Sequence, residues 1–167
     1  MHNIILIGMP GSGKSTVGVV LAKMLGYDFI DSDLLIQHKE KRLLSDIIKE
    51  EGREVFHKIE EEVNISIHAS NTVIATGGSA VYSEKAMDYF KNVGIVIYMK
   101  LSFETITERL GDITGRGISM RKGQTIKDLY IERIPLYECN ADIIFNCENL
   151  SVRDAASGIW TLYNKIR

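Results

Sequence analysis

The chain has 167 residues and a net charge of −2, and 45% of its residues are hydrophobic. This length fits one compact domain with its own core, and the charge argues against a nucleic-acid or membrane-binding surface. No apolar run reaches the ~18 residues of a membrane span, and the first residues lack signal-peptide features. The two cysteines, Cys139 and Cys147, match no metal motif or disulfide framework. We therefore expect a cytoplasmic monomer with no nucleic-acid or membrane partner.

Short apolar runs alternate along the chain with segments of helical periodicity, a pattern typical of α/β proteins. The apolar runs predict strands at 4–7, 29–30, 72–76, 94–99 and 142–145. The periodic segments predict helices at 14–25, 34–36, 43–48, 56–67, 86–90, 103–110 and 126–137, and a last helix with Trp160 in the core. Because the strands are apolar on both faces, they suit a buried parallel sheet. The sequence predicts a three-layer α/β/α sandwich with a five-stranded parallel sheet, in one domain covering 1–167.

Residues 8–15, GMPGSGKS, match the phosphate-binding pattern GxxxxGK[S/T] directly after the first predicted strand. Such a turn points backbone N–H groups at phosphate oxygens, and the following helix adds its positive N-terminal end. Lys14 should reach the β and γ phosphates, and Ser15 should ligate Mg²⁺. The motif therefore predicts an ATP and Mg²⁺ site at Gly8, Gly11, Ser12, Gly13, Lys14, Ser15 and Thr16.

A phosphate-binding loop by itself does not distinguish a kinase from a GTPase, a motor or a transport ATPase. A GTPase of this length would carry an N-K-x-D sequence for guanine, and none occurs here. A transport ATPase would be longer and would carry signature sequences of its own. Length and motif content together favour a small kinase.

Several further features follow the phosphate loop at regular places in the chain. They are Asp31-Ser32-Asp33, then Gly52 with Phe56 and Glu60, then Gly77-Gly78, Arg116, and the sequence RIPLY at 133–137. In order and spacing these features resemble the shikimate kinase family, over nearly the whole chain. The resemblance implies a fold like that of nucleoside-monophosphate kinases. It also implies transfer of the γ-phosphoryl group of Mg-ATP to shikimate, a step of aromatic amino acid biosynthesis.

The resemblance implies roles for the residues that handle the nucleotide and the transferred group. Asp31 would hold Mg²⁺ through water, although a carboxylate here could also merely cap the next helix. Arg109 would lie against the adenine. Arg116 belongs to a Gly-rich lid at about 111–123, which would close to exclude water. Together with Lys14, it would stabilise the charge on the transferring phosphate.

The resemblance also implies an acceptor site, with an acceptor-binding region at about 33–61. Asp33 would bind the acceptor hydroxyls and act as the base. Gly77 and Gly78 would offer backbone N–H groups to the acceptor. Arg133 would pair with its carboxylate, because a guanidinium is planar and always charged. The acceptor should therefore be a small anionic molecule.

Two departures from the family pattern fall in this acceptor site. His57 stands where the family has an arginine that binds the carboxylate, and Ser79 replaces the third glycine of a G-G-G sequence. Imidazole is shorter than guanidinium and offers no bidentate fork. The acceptor is therefore either shikimate, with His57 and Ser79 in its pocket, or another small hydroxylated anion. A phosphate loop would also suit a nucleotide-binding regulatory module without turnover or a nucleoside-monophosphate kinase.

Overall fold

A computed structural model describes residues 3–111 and 117–166. The apolar runs form five strands, β1 Asn3–Ile7, β2 Asp28–Asp31, β3 Thr72–Ala75, β4 Gly94–Lys100 and β5 Ile143–Asn146. The helices of the described part of the chain are α1 Lys14–Leu25, α2 Ser32–Glu40, α3 Leu44–Glu51, α4 Arg53–Ile65, α5 Glu84–Val93, α6 Phe103–Leu110, α7 Ile126–Asn140 and α8 Val152–Ile166. A 3-10 turn spans Ala80–Tyr82. The predicted lid arginine, Arg116, lies outside the described residues.

The strands form one parallel sheet in the order β2-β3-β1-β4-β5. β1 lies at its centre, and Ile5 is opposite Ile74 of β3 on one side and Val96 of β4 on the other. All five residues of β1 are buried, because helices cover the sheet: α1 packs on β3 and α8, while α5 and α7 pack on β4. The predicted α/β sandwich and five-stranded parallel sheet are confirmed.

The structure separates a small hydrophobic cluster from the main core. The main core surrounds the sheet, whereas the second cluster is formed by α2, α3 and α4 and contains Ile36, Ile47, Phe56 and Val63. These three helices follow the end of β2 and cover most of the predicted acceptor-binding region. This region therefore has a small core of its own beside the main one.

Trp160 does not lie in the core, so that expectation from the sequence is wrong. Its side chain is 41% exposed. α8 instead buries Ala155, Ala156, Ile159 and Tyr163. Residue 160 follows the buried Ile159 directly, and one residue turns a helix by about 100°, which carries the indole off the buried stripe. Among the described helices, none is both long and apolar enough to cross a bilayer.

The side chain of Asn3 links the N-terminal ends of the three central strands of the sheet. Its side chain is buried; Nδ2 donates to the carbonyl oxygens of Ala69 at 2.8 Å and Val93 at 3.1 Å. Its Oδ1 accepts from the backbone N–H of Thr72 at 3.1 Å. One side chain thus satisfies three backbone groups beside β1, β3 and β4, where water cannot easily reach them.

We expect Asn3→Ala to lower the free energy of unfolding by about 3 kcal/mol, because three backbone groups lose their partner in a buried place. Urea unfolding followed by circular dichroism measures the change. Asn164→Ala, an exposed position on α8, is the control and should change stability by less than about 0.5 kcal/mol. A loss for Asn3→Ala no larger than the control would show that these hydrogen bonds contribute little.

Candidate active site

The phosphate loop connects β1 to α1 and folds around the amino group of Lys14. Gly11 and Gly13 have positive φ angles of 80° and 89°, which residues with a Cβ rarely adopt. This turn brings Lys14 Nζ to 2.8 Å from the carbonyl oxygen of Gly8 and 2.9 Å from that of Met9. Burial lowers the Lys14 pKa to about 8, and the nearby Asp33 opposes the shift. The amine is therefore still mostly charged at pH 7 and faces a phosphate-sized space.

Asp31 ends β2 and faces the start of α1. Its Oδ2 accepts a hydrogen bond from Ser15 Oγ at 2.5 Å, while its Oδ1 caps α2 through the backbone N–H groups of Asp33 and Leu34. The described residues contain no group of three or more His, Cys, Asp or Glu side chains that could cage a metal. A hydroxyl beside one carboxylate fits Mg²⁺, which keeps several waters and phosphate oxygens among its ligands.

Two carboxylates, Asp33 and Glu60, converge on the backbone of Gly77. A Cβ on Gly77 would lie 2.7 Å from Asp33 Oδ1 and would overlap the Glu60 carboxylate. Burial, followed by the negative charge of Asp31, raises the Asp33 pKa to about 6. Burial raises the Glu60 pKa to about 7, and a hydrogen bond from Ser79 opposes that shift. Both groups can therefore exchange a proton near neutral pH, as acid–base chemistry requires.

The backbone N–H of Gly77 already has a hydrogen-bond partner inside the protein, whereas the sequence analysis expected it to bind the acceptor. The N–H donates to Ser32 Oγ at 3.1 Å, so Gly78 is better placed to offer a backbone N–H to a ligand. A Cβ on Gly78 would lie 2.8 Å from Pro10 and 3.0 Å from an Nη atom of Arg133. The glycine therefore lets the phosphate loop and the arginine approach the same stretch of backbone.

Arg133 lies on the buried face of α7, between Leu129 and Tyr137. Its side chain is only 1% exposed. One nitrogen donates to the Ser119 carbonyl oxygen at 2.9 Å and Nε donates to Tyr82 Oη at 3.2 Å. Within the described chain no carboxylate forms an ion pair with it, so this buried cation can accept an anion from outside.

These groups line one cavity of about 430 Å³ between the phosphate loop and α7. Its walls include the predicted residues Gly11, Gly13, Lys14, Ser15, Thr16, Asp33, Gly77, Gly78, Ser79 and Arg133. Residues 117–119, which follow the undescribed part of the lid, also line it. One cavity is thus lined both by a phosphate-binding turn and by a buried guanidinium.

His57 does not line this cavity, although the sequence places it among the acceptor ligands. Its Nε2 lies 2.7 Å from Ser119 Oγ, and its ring stacks on Tyr82 with the centroids 5.2 Å apart. Burial and then the charges of Arg53 and Arg133 lower its pKa to about 4, so the imidazole is neutral at pH 7. It lines a neighbouring cavity of about 380 Å³ that also contains Ser79.

Arg109 lies on the other side of the phosphate loop, at the end of α6. With Ser12, Thr16 and Val152 it lines a third cavity of about 190 Å³ next to the start of α1. A flat ring in this cavity would rest beside the guanidinium and would extend from the phosphate-binding turn. The position fits the predicted contact with adenine.

Sequence reasoning named Glu60 only as part of a motif and did not single out Tyr82 or Ser119. Glu60 had a detectable signal, since it shares the buried face of α4 with Phe56 and Val63, at four- and three-residue spacing. A carboxylate on an apolar stripe is unusual unless it has a function. Tyr82 and Ser119 had no comparable signal, because their importance comes from contacts with distant parts of the chain.

Comparison with known proteins adds independent information on the family. The family model described as shikimate kinase matches residues 10–162. A shikimate kinase of Thermodesulfovibrio yellowstonii is 36% identical over 99% of this chain and 97% of its own length. The structure of shikimate kinase from Acinetobacter baumannii in complex with shikimate superposes with a TM-score of 0.91, at 31% identity, covering 100% of this chain and 95% of that one.

A second solved structure gives the same result. Shikimate kinase from Aquifex aeolicus has a TM-score of 0.83 and 32% identity, and the alignment covers 98% of both chains. The matches span the phosphate loop, the acceptor-binding region and α7 alike, so the likeness is not confined to a shared phosphate-binding turn. The chain belongs to the shikimate kinase family.

Proposed function

We propose that this protein transfers the γ-phosphoryl group of Mg-ATP to a hydroxyl of shikimate and forms shikimate 3-phosphate. The observation that carries the proposal is the shared cavity, which Lys14, Asp33 and the buried Arg133 all line. Membership of the shikimate kinase family supports the reaction. The relative from Acinetobacter baumannii is described in complex with shikimate.

The phosphate loop would bind and orient the nucleotide. Its backbone N–H groups and the N-terminal end of α1 favour negative charge, and Lys14 would move from the loop carbonyls onto the β and γ phosphates. Arg109 would lie against the adenine. Arg116, which is outside the described residues, would add a second positive charge at the transferring group. Neutralising and aligning the phosphates is most of what phosphoryl transfer requires.

Asp33 would accept the proton of the attacking hydroxyl. Its raised pKa, about 6, leaves it ionised at pH 7 and still basic enough to take a proton as the new bond forms. Gly78 would hold the acceptor through its backbone N–H, and Ser79 and Gly77 would shape the surrounding wall. Arg133 would bind the acceptor carboxylate and so fix which hydroxyl faces the phosphate.

Ser15 and, through water, Asp31 would hold Mg²⁺. Bound there, the ion would neutralise phosphate charge beside Lys14. Two observations support this: Ser15 lines the cavity, and its hydroxyl donates to Asp31 Oδ2 at 2.5 Å. The protein's own contribution is to hold these oxygens in position before the nucleotide arrives.

The test is steady-state release of ADP with Mg-ATP and shikimate, from micromolar to tens of millimolar acceptor. We expect saturable turnover above the ATP-only background. No turnover in a protein that still binds ATP would rule out shikimate, and another small hydroxy acid would then be the acceptor. The departure at His57 makes this outcome worth testing.

We expect Lys14→Met to reduce turnover by at least about a thousandfold, because one charge that stabilises the transferring phosphate is lost. The circular dichroism spectrum should stay unchanged. Lys23→Met, an exposed position later in α1, is the matched control and should retain wild-type turnover. Activity in the Lys14 variant comparable to the control would remove this residue from the mechanism.

The raised pKa of Glu60 predicts a pH-dependent stability. Its ordinary value is 4.5 and its folded value is about 7, so between these pH values only the folded protein holds the proton. The free energy of unfolding should therefore fall as pH rises through this window, by up to about 3 kcal/mol from this group.

Glu60→Gln should remove that contribution, so the variant gains stability relative to the wild type between pH 5 and pH 8. Urea unfolding at several pH values measures the difference. Glu62→Gln, which changes a side chain 66% exposed on the same helix, should show a difference that does not vary with pH. A constant difference for Glu60→Gln as well would contradict the raised pKa.

A further inference from the structure

Arg53 is a mostly buried arginine beside the acceptor site that the family pattern does not include among its ligands. It is the first residue of α4 and lies four residues, about one helical turn, before His57. Its side chain is 15% exposed. The guanidinium carbon lies 5.0 Å from the centre of the Tyr82 ring, a cation–π contact that holds the group in place.

The guanidinium of Arg53 lacks a hydrogen-bond acceptor among the described residues. Its Nε is buried without a partner. Among the described residues its one ion-pair partner is Glu132, whose Oε1 lies 3.7 Å from Nη2, beyond hydrogen-bond distance. That same oxygen already accepts from Tyr82 Oη at 2.5 Å. A buried guanidinium with unused N–H donors is costly, and an anionic ligand would relieve that cost.

Arg53 and Arg133 share one aromatic ring. The guanidinium carbon of Arg133 lies 5.1 Å from the centre of Tyr82, almost as close as that of Arg53. The two guanidinium carbons are therefore at most about 10 Å apart. A carboxylate has two oxygen atoms and can accept hydrogen bonds from two arginines. Two positive groups against one ring repel each other, and an anion bound by both would reduce that repulsion.

The two arginines line adjoining cavities. Arg133 lines the cavity of the phosphate loop, and Arg53 lines the neighbouring one, with Ser79 belonging to both walls. The hydrogen bond between His57 and Ser119 lies at this boundary. Ser119 itself belongs to the predicted lid at about 111–123.

We propose that Arg53 is a specificity-determining residue that binds the carboxylate of the acceptor together with Arg133. This inference rests on the proposed function and names a residue that gives the site its preference for an acid. His57 is already the partner of Ser119 and is neutral at pH 7. Arg53 thus supplies the positive charge that the residue at position 57 does not.

The test compares shikimate with its uncharged carboxamide as acceptors for the wild type, Arg53→Gln and Lys49→Gln. Arg53→Gln should raise the KM for shikimate at least about tenfold, the cost of one charge-assisted hydrogen-bonded pair. The KM for ATP and the kcat/KM for the carboxamide should stay within about twofold. Lys49→Gln removes the same charge from an exposed position of α3, away from both cavities, and should leave all three unchanged.

A merely structural role for Arg53 would give equal losses with the acid and the carboxamide, and that result would overturn the inference. An unchanged KM for shikimate in Arg53→Gln would also overturn it while leaving the proposed function intact. If the wild type does not turn over shikimate, the proposed function fails and the inference fails with it. If Arg53→Gln does not fold, Arg53→Lys replaces it; an acid-selective rise in KM of about threefold supports the inference and an unchanged KM refutes it.

Discussion

The burial of the Arg133 guanidinium is the constraint on which the acceptor site depends. A charge with 1% exposure is costly to remove from water unless its hydrogen bonds are satisfied. The protein satisfies part of this demand with the Ser119 carbonyl and the Tyr82 hydroxyl. Both partners come from segments that border the cavity, so holding the arginine also fixes the cavity walls. Its remaining donors can bind an anion in the cavity that the phosphate loop also lines.

The parallel sheet places the other site residues at one edge, where the carboxyl ends of its strands lie. β1, β2 and β3 are neighbours, and their carboxyl ends lead into the phosphate loop, Asp31 with Asp33, and Gly77-Gly78. Ligands of open α/β sheets bind at this edge. No long loop is needed to assemble the nucleotide and acceptor sites, because the strand order alone brings three separate sequence features together. The helices α2, α3 and α4, which follow β2, add a second small core beside this edge.

Features that depend on a few neighbouring residues could be predicted from the sequence. The phosphate loop is defined by glycines at positions that need positive φ, and Asp31 is recognisable both as a possible cap and as a metal ligand; it does cap α2 and also contacts Ser15. Features that depend on distant partners could not be predicted. His57 is held by Ser119, 62 residues later, and the position of Arg53 has meaning only through Tyr82.

The pairing of a phosphate donor with an anionic acceptor in one cavity is tested most directly by ³¹P NMR of the complete reaction. The protein is incubated with Mg-ATP and shikimate, and the products are identified without a coupling enzyme. The proposed function predicts one new phosphate monoester on shikimate for each ADP formed. Formation of ADP with inorganic phosphate alone, and no phosphorylated acceptor, would contradict it.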